Sequence, residues 1–80
     1  MSPERPTALR KGSVVVAGHR TSISLEDAFW QALAEVARAQ DRSINSLVSE
    51  IDSGRSGNLS SAVRVYLLEW FRRASAPRAI

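Results

Sequence analysis

Arg20-Thr21-Ser22-Ile23-Ser24-Leu25 alternates polar and apolar residues and leads straight into a helical pattern that begins near Glu26. Alternation at period two sends one set of side chains to a buried face and the other to solvent. Thr21, Ile23 and Leu25 form the inward set, while Arg20, Ser22 and Ser24 form an outward row of hydrogen-bonding side chains able to read a surface. A lone strand leaves its backbone N–H and C=O groups unpaired, and even a two-stranded ribbon is marginal in water without helices behind it. The stretch therefore predicts a strand that needs both a pairing partner and a helical backing.

Upstream, Val14-Val15-Val16-Ala17 has strong strand propensity, and Gly18-His19 separates it from the alternating stretch. Two pairings are open. Glycine at the first central position of a two-residue turn suits a type II′ hairpin that joins 14–17 to 20–23 within one chain. Alternatively, Gly18 marks a bulge or kink in a longer strand that pairs between chains. The preferred reading is the second, with one short β-strand per chain and an intermolecular ribbon on 20–25.

Downstream, a helix is expected over 26–40, started by Ser24 or Leu25, with Glu26 and Asp27 suiting its positive end. Phe29, Leu33, Val36 and Ala37 recur at helical spacing, and Trp30 widens the stripe. Asp41-Arg42 makes a turn, Ser43 caps a second helix, and Ile44, Leu47, Val48 and Ile51 repeat at i, i+3, i+4 and i+7 until about Ser53. Gly54 suits the left-handed position after that helix, and Asn58 or Ser60 caps a third over 59–73. Leu59, Ala62, Val63, Tyr66, Leu67, Trp70 and Phe71, with Val65 and Leu68, make the third helix apolar over more than one stripe. Leu67, Trp70 and Phe71 are accordingly expected against another subunit.

Eighty residues make one domain of mostly α character. So short a chain buries a limited share of its surface, and oligomerisation is the remaining support where cysteine is absent and histidine occurs once, as His19. Disulfides and a cysteine-based metal site are excluded on the same count. No apolar run reaches the about 18 to 20 residues that span a bilayer, and the polar, proline-bearing start lacks the apolar region of a signal peptide, so a cytoplasmic protein is expected.

The net charge of +3 is unevenly spread. Residues 1–20 hold four cations against one acid, residues 21–54 two against six, and residues 55–80 five against one. Basic ends around an acidic centre are a common footprint of nucleic-acid binding. Residues 1–12 read as a disordered basic arm, 13–73 as the folded domain, and 74–80 as a disordered tail.

Strand, helix, tight turn and helix, with Arg42-Ser43-Ile44-Asn45-Ser46 opening the second helix, resembles the ribbon-helix-helix family of Arc- and MetJ-like repressors. The resemblance covers about residues 20–51, and Ala17 to Leu59 looks more specifically like a small bacterial subfamily, with an extra C-terminal helix. The resemblance implies a homodimer whose strands pair antiparallel and enter the DNA major groove, with interlocked helices behind. By position, Arg20, Ser22 and Ser24 would contact bases, and Arg42, Ser43, Asn45 and Ser46 would hold a phosphate at the second helix N-terminus. Ile23, Leu25, Phe29, Leu33, Leu47, Val48 and Ile51 would form the dimer core. Asp41 stands where glycine is common in the family.

The implied function is a sequence-specific or semi-specific DNA-binding transcriptional regulator, a repressor acting on double-stranded DNA. The alternative is an antitoxin-like or adaptor module that grips a protein partner, or a further dimer, through its third helix. Catalysis is not expected: the single histidine sits in a turn with no orienting third group, and Glu26 and Asp27 diverge from a helix start. Neither a cofactor, a metal nor a membrane partner is expected.

Overall fold

The structure is a computed structural model that describes residues 7–55 and 57–75. Two strands, β1 (Leu9–Val16) and β2 (His19–Glu26), are followed by three helices, α1 (Asp27–Ala39), α2 (Ile44–Ser53) and α3 (Leu59–Ala74). The strands pair with each other, antiparallel, from Val16↔His19 at the turn to Leu9↔Glu26 at the open end. The ribbon is thus a hairpin within one chain. This corrects the expectation of a single strand per chain paired between chains.

The turn is also displaced by one residue from the sequence reading. Its central residues are Ala17 and Gly18, with φ of 52° and 80°. Positive φ at both positions belongs to a type I′ turn, whose twist matches that of the flanking strands, and not to type II′. β1 begins at Leu9, so residues 9–12, read as part of a disordered arm, are strand. Residues 1–6 of that arm and residues 76–80 of the tail lie outside the described residues, and Ala74 closes α3.

One face of the hairpin is buried. Val14 and Val16 of β1 and Ile23 and Leu25 of β2 pack on Leu33, Val36 and Ala37 of α1, Leu47, Val48 and Ile51 of α2, and Val63 and Leu67 of α3. The apolar stripes read from the sequence therefore meet in a core that a single chain completes. Of the residues expected in a dimer core, Ile23, Leu25, Leu33, Leu47, Val48 and Ile51 are buried without a partner, and Phe29 is half-buried.

Caps fix where the helices start. The Ser46 N–H donates to Ser43 Oγ at 3.0 Å, and the Ser61 N–H donates to Asn58 Oδ1 at 2.8 Å. The entry of α1, expected at Ser24 or Leu25, falls at Glu26, which makes no side-chain cap, because β2 runs on to that residue. The Asp27 N–H instead donates to the Ala8 carbonyl at 2.9 Å, so the start of β1 closes the start of α1. Gly54 has φ of −107°, not the left-handed conformation expected of it. The left-handed residue is Asp41 in the turn between α1 and α2, with φ of 55°. Aspartate is among the few non-glycine residues that tolerate this region, which explains how it replaces the family's usual glycine.

α3 divides its apolar residues differently from the expectation. Leu67 is 1% exposed and belongs to the chain's own core, and Trp70 is half-buried against it. Val65 and Leu68 are 58% and 52% exposed and, with Phe71, form the outward stripe.

Candidate nucleic-acid interface

The face of the hairpin turned away from the core follows from the register. Because Val14, Val16, Ile23 and Leu25 point inward, their neighbours Ser13, Val15, Ser22 and Ser24 point outward. Three rungs define this face: Lys11 opposite Ser24, Ser13 opposite Ser22, and Val15 opposite Arg20. Lys11, Ser13, Val15, Arg20 and Ser22 are exposed, and Ser24 is half-buried. Among the described residues, neither Lys11 nor Arg20 is in an ion pair. The first acid on this face is Glu26, at the open end of the ribbon, and Arg64 of α3 donates to it at 2.8 Å.

Arg20, Ser22 and Ser24, the expected base contacts, therefore share one exposed face. Lys11, Ser13 and Val15 share it too, and the sequence reading missed them. Their signal was present in the alternation Lys11-Gly12-Ser13-Val14-Val15-Val16, which becomes readable only once the turn is placed at Ala17-Gly18.

Both edges of the hairpin are tied to helices. At β1, the Val15 N–H donates to Asn45 Oδ1 at 3.0 Å, and Ser49 Oγ donates to the Val15 carbonyl at 3.3 Å. At β2, the Ser24 N–H donates to Ser60 Oγ at 3.2 Å, and Arg64 donates to the Ser24 carbonyl at 3.2 Å. Helix side chains thus take the strand positions that another β-strand would occupy, which blunts the edges as templates for open-ended pairing. Among the described residues, the outward backbone groups of Arg20 and Ser22 on β2 have no such partner.

The first turn of α2, where the resemblance would put a phosphate contact, lies beside the Val15 end of the ribbon. Its side chains are already engaged. Arg42 donates to Ser46 Oγ and the Ser46 carbonyl, to Gln40 Oε1, and to the Glu50 carboxylate. Asn45 holds Val15, and Ser43 accepts from Ser46. What remains for an anion is the backbone N–H groups of Ile44 and Asn45, for which the described residues provide no acceptor, and the hydroxyl proton of Ser43. Two exposed acids, Asp41 and Glu50, stand near this turn and reduce its positive potential.

The titration of Glu26 is displaced. The hydrogen bond from Arg64 holds its carboxyl below the usual glutamate range, assisted by a backbone hydrogen bond and the guanidinium charge. Nothing in the face resembles a metal centre: no group of three or more histidine, cysteine or acidic residues converges among the described residues. No helix among them is long and apolar enough to cross a membrane.

Comparison with known proteins agrees with the architecture. A family model described as a ribbon-helix-helix domain matches residues 9–71. Among solved structures, an uncharacterized protein from Bordetella pertussis Tohama I is similar, with a TM-score of 0.73 and 25% sequence identity over 88% of this chain. The chain spans 61% of the length of that protein. No curated protein matches.

Proposed function

Because the chain belongs to the ribbon-helix-helix family, whose domains generally bind DNA as dimers and are typically not enzymes, we propose that it is a DNA-binding transcriptional regulator of the cytoplasm. The observation that carries this reading is the exposed outer face of the hairpin, where Arg20, Ser22 and Ser24 lie in one row with no acid before Glu26. A two-stranded ribbon fits the major groove, which is about 12 Å wide. Arg20 is the one side chain in that row with a planar fork for the two acceptors of guanine, and the serines donate or accept at almost any base edge. Phosphate contact falls to the first turn of α2, through the Ile44 and Asn45 amides and Ser43, with Arg42 and Ser46 shaping the turn. The protein acts as a homodimer and as a repressor, each copy placing one ribbon.

Arg20→Ala tests this. Binding to a selected duplex and to a scrambled one, at fixed salt, should lose the difference between them, while the melting temperature stays at the parent value because Arg20 is exposed. Ser43→Ala should weaken both duplexes alike and also lower stability through the lost cap. Unchanged binding of Arg20→Ala to both duplexes would exclude the ribbon as the reading element.

A second reading has its own observation. Val65, Leu68 and Phe71 of α3 line an apolar groove with Phe29 and Ala32 of α1. An antitoxin-like or adaptor protein would use that groove for a protein partner or a further dimer. Leu68→Glu separates the readings: it should abolish partner binding or higher association and leave DNA binding intact.

A further inference from the structure

We propose that β1 is the second DNA-reading strand of the same chain, that Lys11 and Ser13 contact DNA beside Arg20, Ser22 and Ser24, and that Trp30 is the residue that positions them. This rests on the DNA-binding reading above and extends it to a strand outside the row that reading uses. The ribbon-helix-helix resemblance assigns the second strand to another chain, whereas here all eight rungs of the ribbon close within one chain. One copy therefore presents a complete two-stranded surface.

The placement of Lys11 is enforced from below. The indole of Trp30 lies where a Cβ on Gly12 would be: that atom would come within 2.6 and 2.7 Å of two carbons of the six-membered ring, closer than such atoms approach in proteins. Glycine at position 12 thus lets a flat ring on α1 press directly on the β1 backbone. The same indole N–H donates to the Arg10 carbonyl at 2.8 Å. The Arg10 guanidinium turns back over the ring, 5.9 Å from its centroid, and pairs with Asp27 at 2.9 Å. Residues 10 and 12 are both held on the helix side by one side chain, and Lys11 between them is directed to the opposite face.

That face has a defined span. Lys11 is opposite Ser24, and Arg20 is opposite Val15, four rungs away on the other strand. At about 3.4 Å per residue the two cations stand about 14 Å apart along the ribbon, or about four base-pair steps at 3.4 Å each. Ser13 and Ser22 face each other between them. Val15, 38% exposed beside Arg20, adds an apolar surface suited to a thymine methyl group. The site recognised by one chain is thus about four base pairs of major groove, bounded by a cation at each end and on opposite strands of the ribbon.

The test is the salt dependence of binding of the full chain to duplex DNA, measured by fluorescence anisotropy. Each cation lost from a phosphate should lower the slope of log affinity against log salt by about 0.9. Lys11→Ala should lower it by that amount with an unchanged melting temperature. Trp30→Leu should lower it similarly, and adding Lys11→Ala to Trp30→Leu should lower it no further, because the lysine is already displaced. A core variant, Val36→Ala, should lose stability and keep the parent slope, which separates positioning from general destabilisation. Gly12→Ala should mimic Trp30→Leu. If Gly12→Ala fails to fold, Lys11→Ala, at an exposed side chain, still decides. A parent slope in Lys11→Ala, with the difference between selected and scrambled duplex lost in Arg20→Ala, overturns the role of β1 and leaves the DNA-binding reading standing. No binding of the parent to duplex DNA at low salt removes both.

Discussion

Asn45 on α2 accepts the backbone N–H of Val15 on β1 through its Oδ1 at 3.0 Å, across thirty residues of chain. This bond places the first turn of α2 beside the exposed face of the ribbon and satisfies the edge of β1 at its exposed end. A neutral side chain that accepts one hydrogen bond from an exposed strand contributes about 1 kcal/mol. Asn45→Ala should therefore lower stability by about that amount in urea unfolding. Asn45→Asp keeps an acceptor in place and should stay near parent stability, yet weaken DNA binding by placing a negative charge at the flank of the groove. Equal DNA affinity in Asn45→Asp and the parent would show that this flank does not meet phosphate.

Ala17 occupies a left-handed conformation, φ 52°, immediately before Gly18 in the turn. An alanine there is strained by about 1 kcal/mol, whereas asparagine tolerates the region and Asn-Gly is the favoured pair of a type I′ turn. Ala17→Asn should raise stability by about 0.5–1 kcal/mol without moving the core. A fall in melting temperature would contradict the turn assignment.

Leu67 and Leu68 are adjacent on α3 but 1% and 52% exposed. Leu67→Ala removes a core side chain and should cost about 2–5 kcal/mol. Leu68→Ala, away from the core, should stay within about 0.5 kcal/mol of the parent. A large cost at Leu68 in a dilute sample, falling further on dilution, would place that side chain in an interface between copies.

Glu26 and Arg64 join the end of β2 to α3. The folded carboxyl titrates below its unfolded value, chiefly because Arg64 donates to its ionised form. The contribution of a depressed carboxylate is complete above the unfolded value of about 4.3 and disappears as the pH falls below it toward the folded one. Acid unfolding of Glu26→Gln should accordingly be less steep than that of the parent below about pH 4.3, with parallel stability at neutral pH. Identical acid limbs would show that the pair contributes nothing to the pH dependence.

The local patterns were legible in the amino-acid sequence because each depends on residues close together in the chain. Ile23 and Leu25 alternate with Ser22 and Ser24, Ser43 stands one residue before an i, i+3, i+4, i+7 stripe, and Asn58 and Ser60 both offered a cap to the last helix; the strand, the Ser43 cap, the three helices and the outward row of Arg20, Ser22 and Ser24 follow from that spacing alone, while the structure decided for Asn58. Which strand β2 pairs with was decided only in three dimensions. A backbone N–H bonds equally well to a carbonyl of its own chain or of another, and the choice turned on Ala17 and Gly18 both accepting positive φ and on Gly12 leaving room for Trp30. The same holds for Asn45 and Arg42. Their side chains read as phosphate ligands from position, but their partners Val15 and Glu50 are supplied by packing over long stretches of chain or across turns of a helix, where no sequence spacing announces them. Lys11 joined the candidate interface for that reason as well: its direction is set by an indole nineteen residues away, pressed against the one position in β1 that has no side chain.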